Sequence, residues 1–187
     1  MSNKVSEKAT IDVALVTIEI PGVGETPARE LAMQTASKVA VTANMETADA
    51  VKLIIHGVLK AQKPAQHTIT GNTIVLTDNV FIPELVQVLQ GGEITYDTDG
   101  NVQSYTPPVA GVKHEPIKFT LNLYSAIYDA SAKITGYEKV SYPNCEGVPV
   151  SMNSENNVFR VSEYTINSFP NSGEAPYTIN YITALPA

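Results

Sequence analysis

The segment Thr73 to Gly92, TIVLTDNVFIPELVQVLQGG, changes its hydrophobic period in the middle, and that change constrains the chain more than any other feature. Ile74, Val75 and Leu76 form a short apolar run behind the turn dipeptide Gly71-Asn72, the pattern of a buried strand. Asp78 and Asn79 break it. Pro83 stands where a helix tolerates Pro, at its first position, and Glu84 follows near the positive end of the helix dipole. Leu85, Val88 and Leu89 recur at helical spacing, with Ile82 and Val86 flanking the same stripe. Gly91-Gly92 then stops the helix, because Gly takes the left-handed conformation that closes one. The spacing predicts one short helix over about 83–90, set to plug or flank a β-structure.

Nearly everything else reads as strand and turn. Thr10 to Ile20 alternates apolar and polar residues, and Pro21-Gly22-Val23-Gly24 follows as a turn. Residues 28–47 fit two patterns: Ala28, Ala32, Ala36, Ala40 and Ala43 could line a helix, whereas Val39, Val41, Ala43 and Met45 alternate as in a strand from about Ala36 to Glu46. Val51 to Leu59 is a stronger strand, so these two predict a long hairpin turning at Thr47 to Ala50. His67 to Thr70 and Thr73 to Leu76 predict a second, short hairpin across Gly71-Asn72. Ile94 to Tyr96 and Val102 to Tyr105 flank Asp97-Thr98-Asp99-Gly100, a good hairpin turn. Ile117 to Tyr128 and Ile134 to Tyr142 pair across a turn at Asp129 to Ala132. Short strands at Val148 to Met152 and Val158 to Thr165, a turn-rich loop over Ser168 to Pro176, and a last strand at Tyr177 to Ile182 complete the reading. The fold class is therefore mainly β, an antiparallel β-sandwich or barrel with one short flanking helix. With no Gly-, Ser- or Pro-rich linker to divide it, residues 1–187 are expected to form a single β-rich domain, with 1–9 a flexible N-terminal extension. A compact unit of this length buries roughly 70% of its unfolded surface and needs no staples.

The 12 Pro, 11 Gly and 9 Tyr, with no Trp, suit many strands joined by turns. One cysteine, Cys145, makes no internal disulfide and gives no sign of a secreted, cross-linked scaffold. Val13 to Ile20 is apolar but framed by Asp12 and Glu19 and too short to span a bilayer, so no targeting segment is expected and the chain reads as made in the cytoplasm. The net charge of −7 is unevenly placed: residues 1–70 hold 7 Lys+Arg and 7 Asp+Glu, residues 71–187 hold 5 and 12. Between Lys63 and Lys113 there is no basic residue, while Asp78, Glu84, Glu93, Asp97 and Asp99 fall in the gap. Such a surface does not grip nucleic acid through its phosphates. It is either a solubilising face or one that a polyanion must pass without sticking.

Each pattern that could carry chemistry has a simpler explanation. His56, His67 and His114 are not at ligand spacing, and none nominates a metal site. Cys145 lies in a Pro-Asn-Cys-Glu-Gly turn with no local base, as a structural thiol would. Gly22-Val23-Gly24 lacks the third Gly and long helix of a dinucleotide loop. Asp97-Thr98-Asp99-Gly100 begins like a calcium loop but lacks its length and distal Glu. No catalytic, cofactor-binding or metal residue is nominated, no cofactor is expected, and an enzyme is not the expectation. What remains is a chain of many strands with long apolar edges, which a repeating assembly would bury between subunits.

Several patches resemble a known family. They are VFIPELVQVLQGG from Val80 to Gly92, Tyr105-Thr-Pro-Pro, the run from Tyr137 to Gly147 (YEKVSYPNCEG), Phe159 to Tyr164 (FRVSEY), and Gly173 to Tyr177 with Leu185-Pro186. Together they look like the major tail tube (tail structural) proteins of bacteriophages and prophages of Gram-positive bacteria, over roughly residues 35–186. The resemblance implies a virion protein whose hexameric rings stack into a tube. It implies a channel, commonly acid-walled, that DNA traverses without specific binding. It implies further partners in the tape measure, the tail terminator and, in a contractile tail, the sheath. It implies no catalytic residues, no cofactor and no membrane. Within it, the hairpin from about Ala36 to Leu59 is the expected channel-lining or ring-joining element, and Glu93 to Asp99 the second candidate for a wall. Two other readings stay open: a decoration or capsid-associated β-sandwich, and a carbohydrate-binding or adhesion module using Tyr105, Tyr124 or Tyr128 as its platform.

Overall fold

Long alternating stretches make long strands, and their pairing partners decide the shape. A computed structural model of the chain describes residues 8–22, 24, 27–112, 117–152 and 154–186; His114 and residues 1–7 of the expected extension lie outside the described residues. In chain order the elements are β1 (Ala9–Ile20), β2 (Arg29–Met33), β3 (Ala36–Ala48), β4 (Val51–Ile55), β5 (Val58–Lys63), β6 (Gln66–Asp78), α1 (Pro83–Gln90), β7 (Glu93–Tyr96), β8 (Val102–Thr106), β9 (Phe119–Tyr128), β10 (Ile134–Gly147), β11 (Ser162–Ser168) and β12 (Thr178–Ile182). Every pairing is antiparallel. The main sheet runs β2-β1-β9-β10-β11-β6-β3, with β12 also on β10 below β11. It rolls until β1 lies alongside β3, but its two edge strands are not hydrogen-bonded to each other, so the barrel stays open and sandwich-like. Two hairpins, β4–β5 and β7–β8, stand apart from it.

The helix fills the roll. Leu85, Val86, Val88 and Leu89 are fully buried against Ile18, Ile74, Leu76, Phe119, Leu121, Cys145, Tyr164 and Ile166. Its start has no capping side chain; the Ile82 amide donates instead to the Tyr164 hydroxyl at 3.3 Å. Its end is tied three ways. Gly91 takes φ 78°, and the Tyr105 hydroxyl donates to the Gly91 carbonyl at 2.8 Å. Gln90 Nε2 donates to that same hydroxyl at 2.8 Å, while Gln90 Oε1 accepts the Val150 amide at 2.8 Å. At Gly147 the helix lies close against β10: an added Cβ there would fall well inside contact distance of the Leu89 backbone and side chain.

The face of the sheet turned away from the helix carries polar side chains bonded to one another. Asn44 Nδ2 donates to Thr73 Oγ1 at 3.2 Å, and the Thr73 hydroxyl can donate onward to Asn167 Oδ1 at 3.1 Å. Asn122, 1% exposed, donates to Thr17 Oγ1 and Glu19 Oε1 and accepts from the Ser141 hydroxyl, which satisfies a buried amide.

The helix falls at 83–90 as the spacing predicts, and the Asp97–Gly100 and Asp129–Ala132 turns fall where expected. Three expectations are corrected. The chain does not turn at Thr47 to Ala50; it continues through β4 and reverses at His56-Gly57, where both residues have positive φ. Gly71-Asn72 is not a turn but the middle of β6, and Gly71 is needed there because the Ser168 carbonyl lies against it. Val148 to Met152 is not a strand, and Val158 to Val161 precedes β11 as an exposed segment; β10 instead runs on past Pro143 through a bulge to Gly147.

Gly147→Ala is expected to lower the denaturant midpoint by the equivalent of about 1–3 kcal/mol or more, the range for overpacking a core, because the Leu89 backbone must move. Equilibrium urea unfolding followed by circular dichroism measures it; an unchanged midpoint would show that the helix is not held against β10 in this way.

Candidate assembly surface

β3 and β6 pair along their whole length, from Ala36 opposite Asp78 to Ala48 opposite Gln66. Half of that ribbon is body: Val39 and Leu76 pair against the core. The other half leaves it. Every residue from Met45 to Thr70 is exposed. Beyond Ala48 the ribbon continues as β4 paired with β5, from Val51 opposite Lys63 to Ile55 opposite Val58. The reversal is a two-residue turn with φ 48° at His56 and 76° at Gly57, the type I′ geometry that matches the twist of a hairpin.

This arm is apolar where an exposed ribbon should be polar. Val51, Leu53, Ile54, Ile55, Val58 and Leu59 are each between 44% and 64% exposed. They lie on both faces, since Ile55 pairs Val58 on one and Ile54 pairs Leu59 on the other. A ribbon apolar on both faces has to be covered on both. At half exposure each residue stands to gain about 1 kcal/mol on burial, so one arm gains roughly 6 kcal/mol. That lies near the low end of the ~4–15 kcal/mol that association costs. One arm contact is therefore weak, and several must form together.

The arm is also charged against the grain of the molecule. From Val51 to Lys63 there are three lysines, Lys52, Lys60 and Lys63, and no acidic residue. The rest of the chain holds the other nine of 12 basic residues and all 19 acidic ones. The arm therefore cannot be an acidic wall; of the two elements singled out in the sequence, only β7–β8, with Glu93, Asp97 and Asp99 exposed, carries that charge.

The remaining sequence candidates do not converge. His56 sits at the arm tip and not in mid-strand, and His67 lies at the arm base with Nδ1 3.1 Å from Thr47 Oγ1. Among the described residues no three His, Cys, Asp or Glu side chains are grouped to hold a metal ion. Asp97 Oδ1 accepts the amides of Asn101 at 2.8 Å and Asp99 at 2.9 Å; the Asn101 bonds hold its carboxyl below the usual range and serve the turn. Asp78, counted with the acidic surface from sequence, is fully buried at the end of β6, with Oδ1 accepting the Val80 amide at 3.0 Å. No sugar platform forms from the three tyrosines: Tyr124 is 3% exposed, Tyr105 is committed to the helix end, and Tyr128 is half-buried. Among the described residues no helix is long and apolar enough to cross a membrane. Sequence reasoning missed the arm tip and the exposed Val158 to Val161 because it put both inside strands. The His-Gly dipeptide at 56–57 was the available signal for the first.

Cys145 is fully buried, its Sγ 3.3 Å from the Tyr142 carbonyl oxygen, and burial pushes its thiol up to about 11. Burial, with Tyr177 adding to it, pushes Tyr142 up to about 12. Both folded values lie above the ordinary 9.0 and 10.0, so the unfolded chain ionises first. Stability is then complete below about pH 9 and is lost as pH rises toward 11 and 12. Urea midpoints from pH 7 to 11 are expected to fall only above about pH 9, and Cys145→Ala to remove part of that fall. A native-state thiol that reacts promptly with a disulfide reagent at pH 8 would contradict the burial.

No protein-family model matches the chain. No curated protein matches it either. Among solved structures the chain is similar to a chain of the cryo-EM structure of the anti-feeding prophage baseplate, 6-fold symmetrised, at 10% identity over 96% of this chain and 97% of that one, with a TM-score of 0.38. At that score the likeness carries no functional argument.

Proposed function

We propose that the chain is a virion structural protein, a tail tube subunit that assembles with copies of itself into stacked rings around a channel for DNA. The carrying observation is the arm, Met45 to Thr70, apolar on both faces at its tip and exposed among the described residues. A subunit built this way is incomplete alone. The weakness of a single arm contact favours closed rings, in which several arms engage at once, over an isolated dimer. The excess of acid outside the arm suits a channel that DNA slides along, since like charge keeps phosphates from settling on the wall. The arm is then the ring-joining element, and β7–β8 the candidate for the wall. The sequence patches from Val80 to Leu185 support the same reading. Hexameric symmetry, and the tape measure, terminator and sheath as partners, belong to this proposal through that resemblance. No catalytic residue or cofactor enters it.

Negative-stain electron microscopy over a concentration series is expected to show annular particles or hollow tubes. The variant Ile54→Asp/Leu59→Asp is expected to stay monomeric by light scattering, with a stability within about 0.5 kcal/mol of the parent, because both positions are exposed. Wild-type protein that stays monomeric at every concentration and salt would remove the tube reading. It would move the weight to a decoration protein that docks on a preformed shell.

A further inference from the structure

The arm leaves the body at one end of β6, and a second uncovered apolar surface lies at the other. β11 pairs Ser162 opposite Asp78 and Ser168 opposite Asn72, so the segment just before Ser162 sits at the end of β6 remote from the arm. There Phe159 is 94% exposed, with Val158 at 61% and Val161 at 53%. The segment is anchored: the Arg160 guanidinium lies 4.3 Å from the centre of the Phe81 ring. Around it are two adjoining grooves that share Val161. One, of about 200 Å³, is bordered by Glu155, and the other, of about 350 Å³, by Glu163.

This edge and the arm tip are complementary in both respects. The edge offers apolar side chains with two carboxylates, Glu155 and Glu163, against two cations, Arg160, which lies over the Phe81 ring, and Lys38, which pairs opposite Thr77. The tip offers Ile54 and Leu59 beside Lys52 and Lys60, with no acid. Within one chain they lie apart, since Leu59 and Phe159 are both exposed. We infer that the arm tip of one copy seats on the Phe159 edge of the next copy. This deepens the tail tube reading and rests on it. The two surfaces differ and lie at opposite ends of one strand, so the contact is head-to-tail, runs in one direction around the assembly and closes into a ring where its rotation closes.

Three variants of the full chain test it: Ile54→Cys, Phe159→Cys and the double variant, each oxidised at an assembling concentration and run on a non-reducing gel. The double variant is expected to give a ladder of dimer, trimer and higher species, and each single variant no more than dimer. A ladder is impossible for the single variants because one accessible thiol links only two chains; the native Cys145 is buried. Separately, Glu155→Lys/Glu163→Lys is expected to raise the concentration needed for assembly at least tenfold, and Lys52→Glu/Lys60→Glu in the same chain to restore it. Assembly of the wild type and loss of assembly on Ile54→Asp/Leu59→Asp, with no ladder and with Phe159→Asp assembling like wild type, would overturn the Phe159 seat and leave the tube reading standing. A wild type that never assembles overturns both.

Discussion

The pairing of β3 with β6 is the constraint on which the rest of the structure depends. At one end Val39 and Leu76 meet over the helix, and the hydrophobic cost of parting them fixes the register. A slip of one residue would turn Ile74 and Leu76 out to water. Because the strands are continuous, the pairing is carried on, shifted by one residue at the bulge between Asn44 and Met45, to Thr47 opposite His67 and into the arm. The body thus orients a ribbon that has no packing of its own. The bulge between Asn44 and Met45, where the ribbon leaves the body, sits where the twist has to change.

What the sequence revealed follows from which forces are local. The helix over 83–90 was legible because Pro83, the Leu85/Val88/Leu89 stripe and Gly91-Gly92 each act within a few residues. The Asp97 turn was legible because its carboxylate bonds the amides that follow it. The arm was not, because alternation says that a residue is in a strand but not which strand lies beside it. Ile54 and Leu59 look like core residues in sequence, and only their exposure among the described residues shows otherwise. Gly71 failed for a related reason: a glycine required by the Ser168 carbonyl across the sheet looks the same as one required by a turn. Val158 to Val161 was misplaced because its apolar residues fit a strand pattern, and nothing local shows that the segment stays outside the sheet.

The proposed function rests in the sequence only on resemblance and charge, and the structure redistributes the charge. The acid-rich half of the chain looked like one surface, yet Asp78 is buried within it and Asp97 is tied up in a turn. The informative feature is instead the small basic tip against a large acidic remainder. No single residue of that contrast is diagnostic, since isolated surface charges contribute little. It becomes an argument only when the fold gathers three lysines onto a segment that also carries the exposed aliphatic side chains.

A ribbon with two free edges and apolar faces is also a template for disordered aggregation. On the tube reading, each newly made subunit would carry such a template into a crowded solution before it met its partner. Lys52, Lys60 and Lys63 suit a gatekeeper role: two arm tips, Val51 to Lys63, aligned edge to edge would bring six like charges together with no acid between them. On the proposed contact, the same lysines that suit the arm to an acidic neighbour would keep arm from pairing with arm, and so hold an unassembled pool in solution.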